Sequence, residues 1–126
     1  MKNEEFTMTG ATKRKAISKK VRKEVYSLFE GHCAYCGCEI KIEEMQIDHV
    51  KSLYWHKGED NISNFMPACR MCNFYKSTMP IEKFREQLKL IPLRMEKEFT
   101  YRLGKKYGLI KEKENNEILF YFETIN

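Results

Sequence analysis

At 126 residues and 42% hydrophobic content, the chain can bury one modest core but not two independent ones. Its longest unbroken apolar run, Ile118–Phe122, is far too short to span a bilayer, and the opening MKNEEFTMTGATKRK is polar where a secretory leader is apolar. Lys and Arg exceed Asp and Glu by 23 to 18, a net charge of +5 that permits attraction to phosphates without requiring it. These features predict a single domain over residues 1–126, no membrane association, and a cytoplasmic, reducing compartment. There, five cysteines serve as metal thiolates or buried thiols rather than as disulfides.

In chain order, Ile17, Val21, Val25, Leu28 and Phe29 recur at helical steps, which predicts a helix over 12–30 stopped near Gly31. Its other face is basic. Lys13, Arg14, Lys15, Lys19, Lys20, Arg22 and Lys23 are either a solvated face or a phosphate-contacting one. CAYCGC, residues 33–38, reads as a metal knuckle followed by a short strand around Glu39 to Ile42, and MQIDHV, 45–50, alternates as a strand. KGEDNIS, 57–63, is a loop by composition. A helix is expected from Cys69 to Thr78, before Pro80.

The C-terminal extension, 80–126, carries IEKFREQLKL, a short helix ending before Pro92. LRMEKEFTYRLGKKYG follows as a helix that ends near Gly104 or Gly108. GLIKEKENNEILFYFE resembles two strands around a Glu-Asn-Asn-Glu turn. Tyr54 and Trp55 are expected as a hydrophobic lid over the hairpin rather than a base-stacking pair. His32 and His56 are expected at the surface or behind the ligands.

The cysteine spacing is specific. Cys33 and Cys36 form one CxxC, Cys69 and Cys72 another. Each knuckle delivers two thiolates from one tight turn, and two knuckles complete the tetrahedron of a structural zinc. Such a site has no vacant position for water or substrate, so the metal holds the fold. Cys38 is a spare or buried thiol.

Between and just beyond the knuckles stand Asp48-His49, Asn64 and Asn73. The strings CAYCG, IDHV, KGEDNISN and CRMCNFYKS, in that order over residues 33–77, resemble the HNH endonuclease family. The resemblance implies an α+β chain with a ββα-metal core over 31–79, a hairpin and helix that pinch one divalent cation. Here the core would carry a four-cysteine zinc clamp, an N-terminal basic helix and a C-terminal helix-plus-hairpin extension. It implies His49 as general base, Asp48 as metal ligand and Asn64 as the residue that steadies the loop and the histidine. Asn73 takes the last position of the motif, where many members have histidine. Its amide oxygen pairs with the Asp48 carboxylate as a hard donor set, which suits Mg²⁺ or Mn²⁺ better than zinc.

Asp48 and His49 are adjacent, so in a flat strand they point to opposite faces, and they are expected at a strand end or a distortion. Lys76, three residues beyond Asn73, is expected to contact a flanking phosphate, with Lys13, Arg14, Lys19, Lys20, Lys51 and Lys57 as further contacts to nucleic acid. The function that follows is metal-dependent hydrolysis of DNA. The alternatives are a non-cleaving zinc-stapled nucleic-acid-binding module, or a small inhibitor or accessory protein acting on a larger protein partner.

Overall fold

The structure is a computed structural model that describes residues 16–53 and 55–125. Helix α1 spans Lys19–Leu28. The Ser18 hydroxyl accepts the Val21 N–H at 3.1 Å and fixes its first turn. The helix is therefore shorter than expected, and residues 12–15 lie outside the described residues. Its end is a left-handed turn. Glu30 (φ 53°) and Gly31 (φ 82°) send their N–H groups back to the Ser27 and Tyr26 carbonyls. A Cβ on Gly31 would stand 2.9 Å from the Tyr26 hydroxyl, which itself donates to the Ile40 carbonyl at 2.7 Å. Thus the turn that stops α1 also seats the segment behind the first knuckle.

Strands β1 (Gln46–His49) and β2 (Phe65–Ala68) pair antiparallel, with His49 opposite Phe65 and Asp48 opposite Met66. The strand expected at 39–42 is reduced to a bridge between His32 and Glu39. A 3-10 turn over Ile42–Glu44 follows it, since Arg22 of α1 takes the Ile42 and Met45 carbonyls at 2.8 and 3.1 Å. Helix α2 (Arg70–Lys76) begins directly after Cys69, whose sulfur accepts the Cys72 N–H. Val25 of α1, Ile40, Met45 and Phe65 form the small core over which the hairpin lies.

The described residues up to Ile81 and from Leu119 on form one compact unit, and Glu82–Ile118 form a second. The second unit holds most of α3 (Ile81–Lys89), together with α4 (Ile91–Met95) and α5 (Phe99–Lys106). One helix was expected where α4 and α5 stand. Gly104 lies inside α5 and gives room to Ile110, whose Cδ1 would sit 2.6 Å from a Cβ there; Gly108 (φ 73°) is the stop. The Leu109 and Gly108 N–H groups close that end on the Gly104 and Lys105 carbonyls.

The expected C-terminal hairpin is absent from the described residues. Lys111–Phe120 has no regular structure, and a short helix α6 (Tyr121–Thr124) follows. Its aromatic residues have another partner. The Tyr121 and Phe122 N–H groups donate to the Tyr35 and Ala34 carbonyls at 2.9 and 2.8 Å, and Phe120 and Phe122 meet the Tyr35 ring edge-on. The apolar run ending at Phe122 therefore docks onto the knuckle instead of pairing as a strand. No described helix is long and apolar enough to cross a membrane.

Candidate active site and metal cluster

Cys33, Cys36, Cys69 and Cys72 bring their four sulfurs within 4.8 Å of one another. Around a zinc ion with Zn–S bonds of about 2.3 Å, tetrahedral sulfurs stand roughly 3.8 Å apart; here Cys36 Sγ and Cys69 Sγ are separated by 3.9 Å. Both knuckles aim backbone donors at sulfur: Tyr35 and Cys36 N–H at Cys33, and Cys72 N–H at Cys69. The Cys72 thiol and these amides hold the Cys33 thiol down to about 4, while the shared proton pushes Cys72 up. A cluster that already favours one thiolate fits a cation that would take the remaining protons' places. Cys38 is exposed and stands outside the four, with its thiol pushed up to about 12 by desolvation and its sulfur neighbours.

The hairpin carries the second group of residues. Gln46 and Asp48 share one face of β1 and turn toward α2, where the Asn73 amide donates to the Gln46 side-chain oxygen at 3.3 Å. Asp48 is 4% exposed, and its Oδ2 receives both the Lys76 ammonium at 2.9 Å and the Tyr35 hydroxyl at 2.6 Å. Burial pushes the Asp48 carboxyl up, and Lys76 opposes the shift. Both contacts fall on one oxygen.

Lys76 is fully buried; beyond Asp48, its ammonium donates to the His49 and Val50 carbonyls at 3.3 Å each. The expectation that it reaches a phosphate is therefore corrected. Its three donors are spent inside the fold, where they fasten the end of β1 to α2.

His49 is the last residue of β1 and, by strand alternation, faces away from Asp48. Its ring stands edge-on over Phe65, with centroids 5.1 Å apart, and its Nε2 meets Asp60 Oδ1 at 2.8 Å. Asn64 touches the loop rather than the imidazole. Its side chain accepts the Lys51 N–H and donates to the Lys51 and Glu59 carbonyls at 2.8–2.9 Å, closing the segment 51–64 into a clamp. Gly58 makes the closure possible: a Cβ there would stand 2.0 Å from the Lys51 carbonyl oxygen and 2.7 Å from Asn64 Nδ2.

Of the basic residues, Lys19, Lys20, Lys51 and Lys57 are exposed, while Lys13 and Arg14 lie outside the described residues. Arg22, on the same helix, is turned inward to the carbonyls named above. Trp55 is 60% exposed and is no lid; Tyr54 lies outside the described residues. His32 is stacked on Tyr121, and His56 is exposed. Sequence reasoning missed Tyr35, Gln46, Gly58 and Asp60. The first sits inside a knuckle and the last two in a loop, and only the closed fold brings them to β1.

Residues 33–78 match the HNH endonuclease family. This segment is an HNH segment. Its boundaries enclose both knuckles, the hairpin and α2. YoqL of Bacillus subtilis (strain 168), an SPbeta prophage-derived protein named for the HNH endonucleases, is 35% identical over 63 residues; the match covers 44% of this chain and 27% of YoqL. The crystal structure of the Type II-C Cas9 enzyme from Actinomyces naeslundii superposes with a TM-score of 0.49 at 27% identity, over 57% of this chain and 8% of that one. The match thus spans well under half the length of either relative.

Proposed function

We propose that the chain is a metal-dependent endonuclease that hydrolyses phosphodiester bonds of DNA, with His49 as general base and Asp48 and Asn73 as ligands of a divalent cation. The observation that carries this reading is the end of β1. Asp48 Oδ2 and His49 Nε2 carry the polar contacts of these two side chains, and among the described residues Asp48 Oδ1 and His49 Nδ1 make no hydrogen bond, which leaves a donor atom on each for a ligand or water. A base and a hard ligand then stand on consecutive residues.

The donors fit an oxygen-loving ion. One carboxylate oxygen and one amide oxygen leave coordination positions for water and phosphate, as Mg²⁺ or Mn²⁺ require. Bound there, the ion supplies Lewis acidity at the scissile phosphate. His49 takes a proton from water as the water oxygen bonds to phosphorus. The P–O3′ bond breaks with its electron pair on the 3′ oxygen, which is then protonated from solvent. Tyr35 and Lys76 hold the Asp48 carboxylate in place, and Asn64 holds the loop above the histidine.

The four-cysteine cluster is read as a structural zinc site, closed to substrate because thiolates fill every position. It fixes the start of α2, and with it Asn73. Exposed Lys19, Lys20, Lys51 and Lys57, with Lys13 and Arg14, supply contacts to the DNA backbone that weaken as salt rises.

Supercoiled plasmid incubated with Mg²⁺ or Mn²⁺ tests the reading. The zinc-loaded protein is expected to nick it, and His49→Ala to lose at least about 100-fold in rate. No nicking by the native protein on any plasmid or linear DNA would overturn the nuclease. Equal cutting by the variant would remove His49 from the role of base.

A further inference from the structure

We infer that Asp60 is a positioning residue for His49: its carboxylate selects the imidazole tautomer that carries the proton on Nε2, so that Nδ1 is the atom presented to water. The inference deepens the nuclease reading and rests on it for the catalytic consequence alone.

The geometry is direct. Asp60 Oδ1 lies 2.8 Å from His49 Nε2, and the two side chains are 2% and 9% exposed. An ionised carboxylate accepts hydrogen bonds and donates none, so Nε2 must carry the hydrogen. In a neutral ring the lone pair then belongs to Nδ1, the nitrogen that makes no hydrogen bond among the described residues. The Phe65 ring, edge-on at 5.1 Å, blocks the imidazole from tilting, so tautomer and orientation are set together.

Asp60 does not reach this position by chance of loop composition. Asn64 Nδ2 holds the Glu59 carbonyl at 2.8 Å, one residue before Asp60, and the Asn61 side chain accepts the Ser63 N–H at 3.0 Å, one residue after it. Gly58 is packed against the Lys51 carbonyl with no room for a side chain. The loop is thus pinned on both sides of the carboxylate. This gives Asn64 a defined part: it orients the base at one remove, through the backbone that carries Asp60.

The test uses the zinc-loaded protein labelled with ¹⁵N-histidine. The chain has only His32, His49 and His56, so long-range ¹H–¹⁵N spectra can be assigned with single substitutions. Near pH 8, native His49 is expected to show a protonated Nε2 and an unprotonated Nδ1. A protonated Nδ1 in the native protein would overturn the proposal without any variant. In Asp60→Ala the preference for a protonated Nε2 is expected to fall to the weaker one of a free imidazole, and Asp60→Glu to recover part of the native pattern.

On plasmid, Asp60→Ala should lower kcat by on the order of 100-fold with KM little changed, the split that an orientation defect predicts and a loss of DNA binding does not. A native tautomer pattern in folded Asp60→Ala, or unchanged kcat, would refute the assignment. If the native protein cuts no DNA while its His49 tautomer still depends on Asp60, the nuclease reading fails and the orienting role stands.

Discussion

Lys76 illustrates how a single side chain changes meaning between the linear chain and the fold. At three residues past Asn73 it reads as a surface cation, yet it is fully buried between Asp48 and two strand-end carbonyls. Replacing it with Met keeps the apolar stem and strands a buried carboxylate, a class of change that costs about 3–5 kcal/mol. The sign with pH follows from Asp48. Its folded pKa is already raised by burial and restrained by Lys76, so without the ammonium its ionised form is penalised further. Below the unfolded carboxylate pKa of about 3.9 the penalty vanishes, and it grows as pH rises toward the higher folded value, above which it is constant. Urea denaturation of Lys76→Met should therefore show a larger deficit at pH 8 than at pH 5. A phosphate-binding lysine would instead leave stability unchanged and weaken DNA binding.

Gly58→Ala belongs to the same scale. The added methyl would collide with the Lys51 carbonyl and with Asn64, so the clamp must open and leave buried amide groups short of partners. A loss of about 1–3 kcal/mol in denaturant titrations is expected, with faster amide exchange confined to residues 51–64.

Among the elements, those governed by local spacing were legible and those governed by closure were not. The two CxxC turns, the α2 start behind Cys69, and α3 with its apolar periodicity all depend on residues a few positions apart. Asp60 became meaningful only when Asn64 drew the loop over β1. The apolar run Leu119-Phe120-Tyr121-Phe122 fits the rim of the Tyr35 ring and two knuckle carbonyls rather than a neighbouring strand. Arg22 carries the same lesson on α1: a basic residue in a basic stripe, it is the tie between that helix and the turn before β1. Phe120 is 2% exposed, so Phe120→Ala should cost about 3–5 kcal/mol by thermal or denaturant unfolding. It should also loosen the Tyr35 hydroxyl from Asp48, seen as a change in the Tyr35 ultraviolet absorbance or fluorescence. A peripheral tail would do neither.

For the whole molecule, two compact units imply two separable responses. Chelation of the clamp metal, or Cys72→Ser, should collapse near-ultraviolet ellipticity from the Tyr35 region while leaving helical signal from Glu82–Ile118. That second unit has its own polar tie. Glu112 accepts from the Tyr101 hydroxyl at 2.6 Å and from Lys105 at 2.9 Å, and these partners hold its carboxyl below the usual range. A depressed carboxylate contributes stability above its unfolded pKa, which is lost as pH falls through the folded value. Acid titration followed by ellipticity at 222 nm should thus lose helix below about pH 4.5, and Glu112→Gln should flatten that dependence.

The first unit is also interrupted in the chain, since it resumes at Leu119 only after Glu82–Ile118. A ribosome that has delivered both knuckles, the hairpin and α2 must still add residues 82–122 before Tyr35 is enclosed, roughly 2–8 s at about 5–20 residues per second. During that interval the Asp48 carboxylate lacks its aromatic backing. Translation itself thereby orders the two units, since the second must be synthesised whole before the first can close around Tyr35.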